Sequence, residues 1–344
     1  MSNNQKVSKL FSKKRIVLVA LICLSLSLFL FYREFSKSKV DWSEVNFSGN
    51  SFLFLFLAIV MMVFRDLAYM IRIRILTEKV LCWKQSFNVI MLWEFASAVT
   101  PGVVGGSAVA MFILQKEKIP LGKSTALVII TAIMDNFFYI LLLPLLFLFI
   151  PLSTLFPDEM KSIENGGLII FWIGFGIIII INLLLFTSVF IFPKLIGNIL
   201  KLIFRLPFLK SRKMKAEKVG SDIIIASQEL KGKSFLFWIK LFLVTVWSWT
   251  SRYLVINFIL LAFIEIGLLD HLIILGRQLV MWLVMLVTPT PGGSGMAEYL
   301  FGELLSDFIK NGTLALSLAF LWRLITYYPY LIIGSFILPR WLGK

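Results

Sequence analysis

Six stretches of this chain are long and apolar enough to cross a bilayer as helices: approximately 16–32, 52–76, 124–150, 167–192, 235–264 and 313–338. A helix needs about 20 apolar residues to span a hydrocarbon core of about 30 Å. In lipid every backbone N–H and C=O must be satisfied internally, which restricts spanning structures to helices and closed barrels. These runs are continuous rather than alternating, so the fold class is an all-α polytopic membrane protein. Composition agrees: 59% of residues are hydrophobic and 15% charged, against about 25% charged in soluble domains. The first run looks like a signal peptide, but its bulky Phe29–Arg33 end offers no small-residue cleavage site, and it is read as a retained helix.

Two further stretches, 85–115 and 271–310, are interrupted near the middle. The first contains AVTPGVVGGS (98–107), the second LVTPTPGGSGMAE (286–298). Proline and glycine break both helix and strand. At bilayer depth such a break survives only when buried in protein or lining a polar cavity. The legs of the first stretch reach roughly 20 Å at 1.5 Å per residue, which favours a re-entrant hairpin over a crossing pair. The second stretch is read in the same way, although its legs are longer.

Loop charges orient the chain. Lys6, Lys9, Lys13, Lys14 and Arg15 place segment 1–15 in the cytoplasm by the positive-inside rule. Arg72, Arg74, Lys79 and Lys84 are counted with the next cytoplasmic loop, and Lys116, Lys118 and Lys123 with the one after the first hairpin. Asp158, Glu159 and Glu164 lie outside, and the strongly basic loop 193–234 lies inside. Glu265, Asp270, Glu303 and Asp307 are outside, and the C-terminus is inside. The first hairpin therefore enters from the cytoplasm and the second from the opposite face. Segments 52–150 and 235–338 become two inverted repeats within one transmembrane domain, 16–340, and paired interruptions of this kind point to a midplane binding site.

The tips suggest the ligand. Helix N-termini expose free N–H groups and a partial positive charge, and glycine lets a ligand approach the backbone. Thr100, Gly102, Gly105, Gly106 and Ser107 at one tip, with Thr290, Gly292, Gly293 and Ser294 at the other, are candidates to hold an anion such as a phosphate. Ionisable residues at mid-depth are expensive and become candidates by default: Arg65, Asp66, Glu94, Asp135, Arg277, Glu298 and Arg323. Each also has a structural reading. Arg65 and Asp66 can each pair with a neighbouring helix. Glu298 can cap its own helix start. Asp135 and Arg323 are either a buried pair or two walls of a cavity. Arg252 and Lys240 face either a cavity or the interface.

The net charge of +15 marks cytoplasmic loops and anionic lipid rather than nucleic acid. A single histidine, His271, excludes a multi-histidine metal site, and no cofactor is implied. The loop 193–234 either lies on the inner leaflet or docks a cytoplasmic synthase partner.

The TPGxxGG pattern at 100–106, Asp135, PTPGGSGMAE at 289–298 and LWRLITYY at 321–328 resemble the lysylphosphatidylglycerol synthetase/flippase membrane domain over nearly the whole chain. The chain departs from that pattern at Val103, Ser107 and Asn136, where the family often places charges. The resemblance implies a cell-membrane protein that moves a phospholipid, such as an aminoacylated phosphatidylglycerol, between leaflets. A handler of polyisoprenyl-phosphate-linked envelope intermediates and a non-transporting scaffold for a synthase remain the alternatives. The longest cytoplasmic loop is too short for an enzyme core, so aminoacyl transfer by this chain is not expected.

Overall fold

The computed structural model describes residues 49–100, 102–155, 157, 164–193, 213–285, 292–293 and 295–343, with the single positions 25 and 32. The expected helix 16–32 and the basic segment 1–15 otherwise lie outside the described residues.

The described elements are all helical. Helix α1, Gly49–Leu76, ends where Glu78 and Lys79 turn left-handed at φ 53° and 63°. Helix α2, Trp83–Val99, stops at Thr100, whose extended backbone (φ −97°, ψ 143°) is the conformation that a following proline imposes. Helix α3, Gly102–Lys116, then runs back against α2, and α4 is Leu121–Phe147. A short 3-10 turn, Leu152–Leu155, precedes α5, Glu164–Phe186, which continues through a π-helical turn to Ile191. Then follow α6, Lys213–Lys231, and α7, Phe235–Leu261, capped by the Ser234 hydroxyl, which accepts from the Phe237 N–H. Helices α8 (Leu268–Met285) and α9 (Met296–Leu304) flank the second break. Helix α10, Gly312–Thr326, is capped by the Asn311 carboxamide, and α11 is Tyr328–Leu342.

Among the described residues six segments have the length and composition to cross a membrane. Five match expected spans. The sixth is α8, whose 18 residues reach about 27 Å, whereas the nine residues of α9 reach only about 13 Å. The run 313–338 was expected to be one helix and is two. Tyr327 leaves the helical region at φ −126°, ψ −57°, and Pro329 opens α11, since proline can start a helix but not continue one.

Helices α1 and α7 pack antiparallel at the centre. Phe54 lies 6.5 Å from Phe258 and Phe64 6.4 Å from Trp247, while the Ser51 hydroxyl donates to the Ala262 carbonyl. Contacts around this pair come in matching sets. Helix α4 touches α7 as α10 touches α1, and α2 touches α1 as α8 touches α7. The pairs α2–α3 and α8–α9 each pack together, and α3 meets α4 as α9 meets α10. Outward faces stay apolar: Phe52, Phe56 and Val63 of α1 and Trp172, Ile180 and Leu184 of α5 are exposed. A surface of that kind in a multi-pass membrane protein faces lipid.

Within loop 193–234, residues 194–212 lie outside the described residues, but 213–231 form a helix docked on α4 rather than free of the protein. The approach is close: a Cβ on Gly122 would come within 2.2 Å of Asp222 Cβ. Lys123 pairs with Glu229 at 2.7 Å and Lys233 with Glu78 at 2.9 Å. The hydrogen bond from Lys233, aided by the charges of Lys233 and Lys123, holds the Glu78 carboxyl below the usual glutamate value.

Candidate functional site: a charged cavity between two helix breaks

Two adjoining cavities, of about 330 and 130 Å³, open between the two broken stretches. Glu94, Ser97, Arg252, Trp282, Met285 and Gly292 line both. Thr100 and Ser107 reach the larger one from the first break, and Gly292 and Gly293 from the second.

The walls are built by helical spacing. Arg65, Tyr69 and Arg72 recur at i, i+4 and i+7 on α1, which puts them on one stripe. Both guanidinium groups lie against the Tyr69 ring, at 4.5 and 4.6 Å. Arg65 is 1% exposed and pairs with Glu94 of α2 at 2.7 Å and with Asp66 at 3.0 Å. The Tyr330 hydroxyl of α11 accepts from Arg65 and donates to Asp66. Arg72 pairs with Asp135 of α4, which also accepts from the Trp249 indole N–H at 2.9 Å. Arg72 is thus not a cytoplasmic loop charge, as the loop count had it. It is buried in the last turns of α1, held there by Asp135.

The second break is held by its own pair. Gly292 and Gly293 adopt φ 56° and 69°, a region that glycine enters without steric cost. Arg323 donates to Glu298 at 2.6 Å and to the Gly292 carbonyl at 2.8 Å. Glu298 also accepts from the Gly295 N–H at 2.6 Å, capping α9. The Tyr327 hydroxyl donates to the Ala98 carbonyl just before the first break, tying the two breaks together.

The model of the family described as "Lysylphosphatidylglycerol synthase TM region" matches residues 16–334. The chain belongs to this family. A relative, a "UPF0104 membrane protein" of Archaeoglobus fulgidus, is 26% identical over 322 residues, covering 88% of this chain and 90% of that protein. No solved structure matches the chain significantly. Membership of a lysylphosphatidylglycerol synthase transmembrane-region family agrees with a lipid-related role in the membrane.

Of the residues singled out from sequence, Arg65, Glu94, Thr100, Ser107, Asp135, Gly292 and Gly293 line the larger cavity, and Arg323 lines the smaller. Asp135 and Arg323 are not partners of each other; each has its own. Asp66 and Glu298 hold cavity arginines from the side. Gly106 faces Ser97, where a Cβ would come within 2.1 Å of the hydroxyl, so it serves the packing of α3 on α2. Gly102 and Gly105 form the first turn of α3. Arg277 is engaged outside both cavities, with Asp307 and with the carbonyls of Leu304 and Thr154. Thr290 and Ser294 lie outside the described residues. The aromatic wall of Tyr69, Trp93, Trp249 and Trp282 was not singled out, because each sits in an apolar run where a ring reads as bulk. Two departures from the family pattern, Ser107 and Asn136, also line the cavity.

Proposed function

We propose that this protein moves a phospholipid with a phosphate-containing headgroup between the leaflets of the cell membrane. One observation carries the reading: a cavity bordered by both helix breaks and lined by arginines and carboxylates, in a protein whose outer faces are apolar. A charged cavity inside a lipid-facing shell can take a polar head while acyl chains stay in the bilayer. In this reading the α2–α3 and α8–α9 pairs are oppositely oriented re-entrant hairpins of an inverted repeat. The antiparallel α1–α7 pair and the matched contacts around it support this. Both termini are cytoplasmic, and the chain acts as a carrier rather than an enzyme.

Reconstitution into liposomes with headgroup-labelled phospholipids tests the proposal. Protein-containing vesicles should exchange labelled lipid between leaflets faster than empty ones. Equal rates for every phosphate-bearing lipid tried, polyisoprenyl phosphates included, would remove it. Retained lipid synthesis by a partner enzyme in the absence of exchange would favour the scaffold reading.

A further inference from the structure

Arginines in the wall of this site are neutralised by the protein with one exception. Arg65 has Glu94 and Asp66, Arg72 has Asp135, and Arg323 has Glu298. Arg252, half-buried on α7, makes no ion pair or hydrogen bond among the described residues. Its guanidinium lies 5.7 Å from the Trp249 ring centre. It lines both cavities. Glu94 lines both as well, yet the two form no ion pair. Glu94 shares Arg65 with a second carboxylate, Asp66, so negative charge is in excess around Glu94 and positive charge at Arg252. A cation in a membrane-spanning helix that lacks a partner is costly, and the cavity that both residues line has room for the group that would complete it.

We infer that Arg252 is the phosphate-binding residue of the site and that Glu94, on α2, receives an ammonium group. The head that fits is a zwitterionic phosphodiester bearing a primary amine. The four arginines Arg65, Arg72, Arg252 and Arg323 are matched by the four carboxylates Asp66, Glu94, Asp135 and Glu298, so a head of zero net charge leaves the site neutral. Trp93, next to Glu94 in the chain, lines the same cavity and supplies an aromatic ring near the ammonium site. This inference rests on the proposed lipid-handling reading but is tested without transport.

The experiment is equilibrium binding by calorimetry to the purified full chain in detergent. The probes are short-chain phosphatidylethanolamine, phosphatidylglycerol and phosphatidylcholine, and free phosphoethanolamine and inorganic phosphate. Phosphatidylethanolamine should bind most tightly of the three lipids. Arg252→Gln should weaken it about tenfold or more, the usual consequence of losing a charge-assisted hydrogen bond. Arg252→Lys should retain part of the affinity, and Lys240→Gln, an exposed change on the same helix, should retain all of it. Glu94→Gln should lower affinity for the amine lipid while leaving phosphatidylglycerol binding nearly unchanged. Binding of phosphoethanolamine but of no lipid would assign the site to a free phosphate compound and overturn the lipid assignment. Binding of every lipid by Arg252→Gln as by the parent, with the same thermal stability, would overturn the role of Arg252. Equal affinity for phosphatidylglycerol and phosphatidylethanolamine would overturn that of Glu94. Arg252-dependent binding without transport in liposomes would refute the transporter reading and leave this one standing.

Discussion

Replacing Arg323 with methionine tests whether the second break is held by charge. Arg323 and Glu298 have side chains only 7% and 9% exposed, at 2.6 Å separation, so solvent screening is slight. Removing one partner of such a pair strands the other, at a cost of about 3–5 kcal/mol. The bond from Arg323 to the Gly292 carbonyl is lost too, adding about 1 kcal/mol. Adding Glu298→Gln in the same protein removes the stranded charge, while the amide oxygen can still accept from the Gly295 N–H. The double variant should therefore lose only about 1–2 kcal/mol, so adding Glu298→Gln should restore about 3 kcal/mol to the Arg323→Met protein. Detergent-induced unfolding in mixed micelles, run on parent, both single variants and the double, measures it. Additive losses, with the double variant the least stable of the four, would show that the pair contributes nothing as a pair.

Further outcomes follow from other contacts. Gly292→Ala places a Cβ 2.2 Å from the Tyr327 ring in a left-handed residue, whereas Gly295→Ala, also left-handed, meets open space. The first should cost more stability than the second, which carries only the strain of its own positive φ, about 1–3 kcal/mol, as read in the same unfolding assay. Gly334→Ala meets the Phe95 ring at 2.4 Å and should loosen α11 from α2, seen as faster proteolysis at the C-terminal end. Lysine 233 keeps the Glu78 carboxyl below its ordinary value, so this contact stabilises fully above the ordinary glutamate range and fades as pH falls through the lowered value. Glu78→Gln should flatten the acid limb of the melting-temperature profile slightly, because the group is 47% exposed.

Much of the architecture was legible because lipid imposes a simple rule. Apolar runs of sufficient length gave the positions of α1, α4, α5 and α7, and of α10 and α11 taken together, to within a few residues. Prolines 101 and 329 mark real interruptions, but only the first was read, since Thr-Pro-Gly announces a break whereas Tyr-Tyr-Pro inside an apolar run does not. The candidate site was legible as residue types and not as partnerships. Nothing in the order of the chain says that Arg72 meets Asp135, 63 positions away, or that Glu298 meets Arg323 rather than a ligand. Arg72 was misplaced because it lies near the end of a long run, where a positive residue ordinarily marks the loop. The stripe of Arg65, Tyr69 and Arg72 was the available signal. Arg252 was left between cavity and interface because one arginine in an apolar run fits both; in the fold it lines both cavities.

The central claim is that both helix breaks meet inside the bilayer around a pocket for a phosphate-bearing head. A structure of the protein in lipid nanodiscs measures this directly. The account predicts both breaks near mid-depth and headgroup density between them, its phosphate within hydrogen-bond distance of Arg252. Breaks lying at the bilayer surface, or a central pocket filled by acyl chains alone, would contradict it.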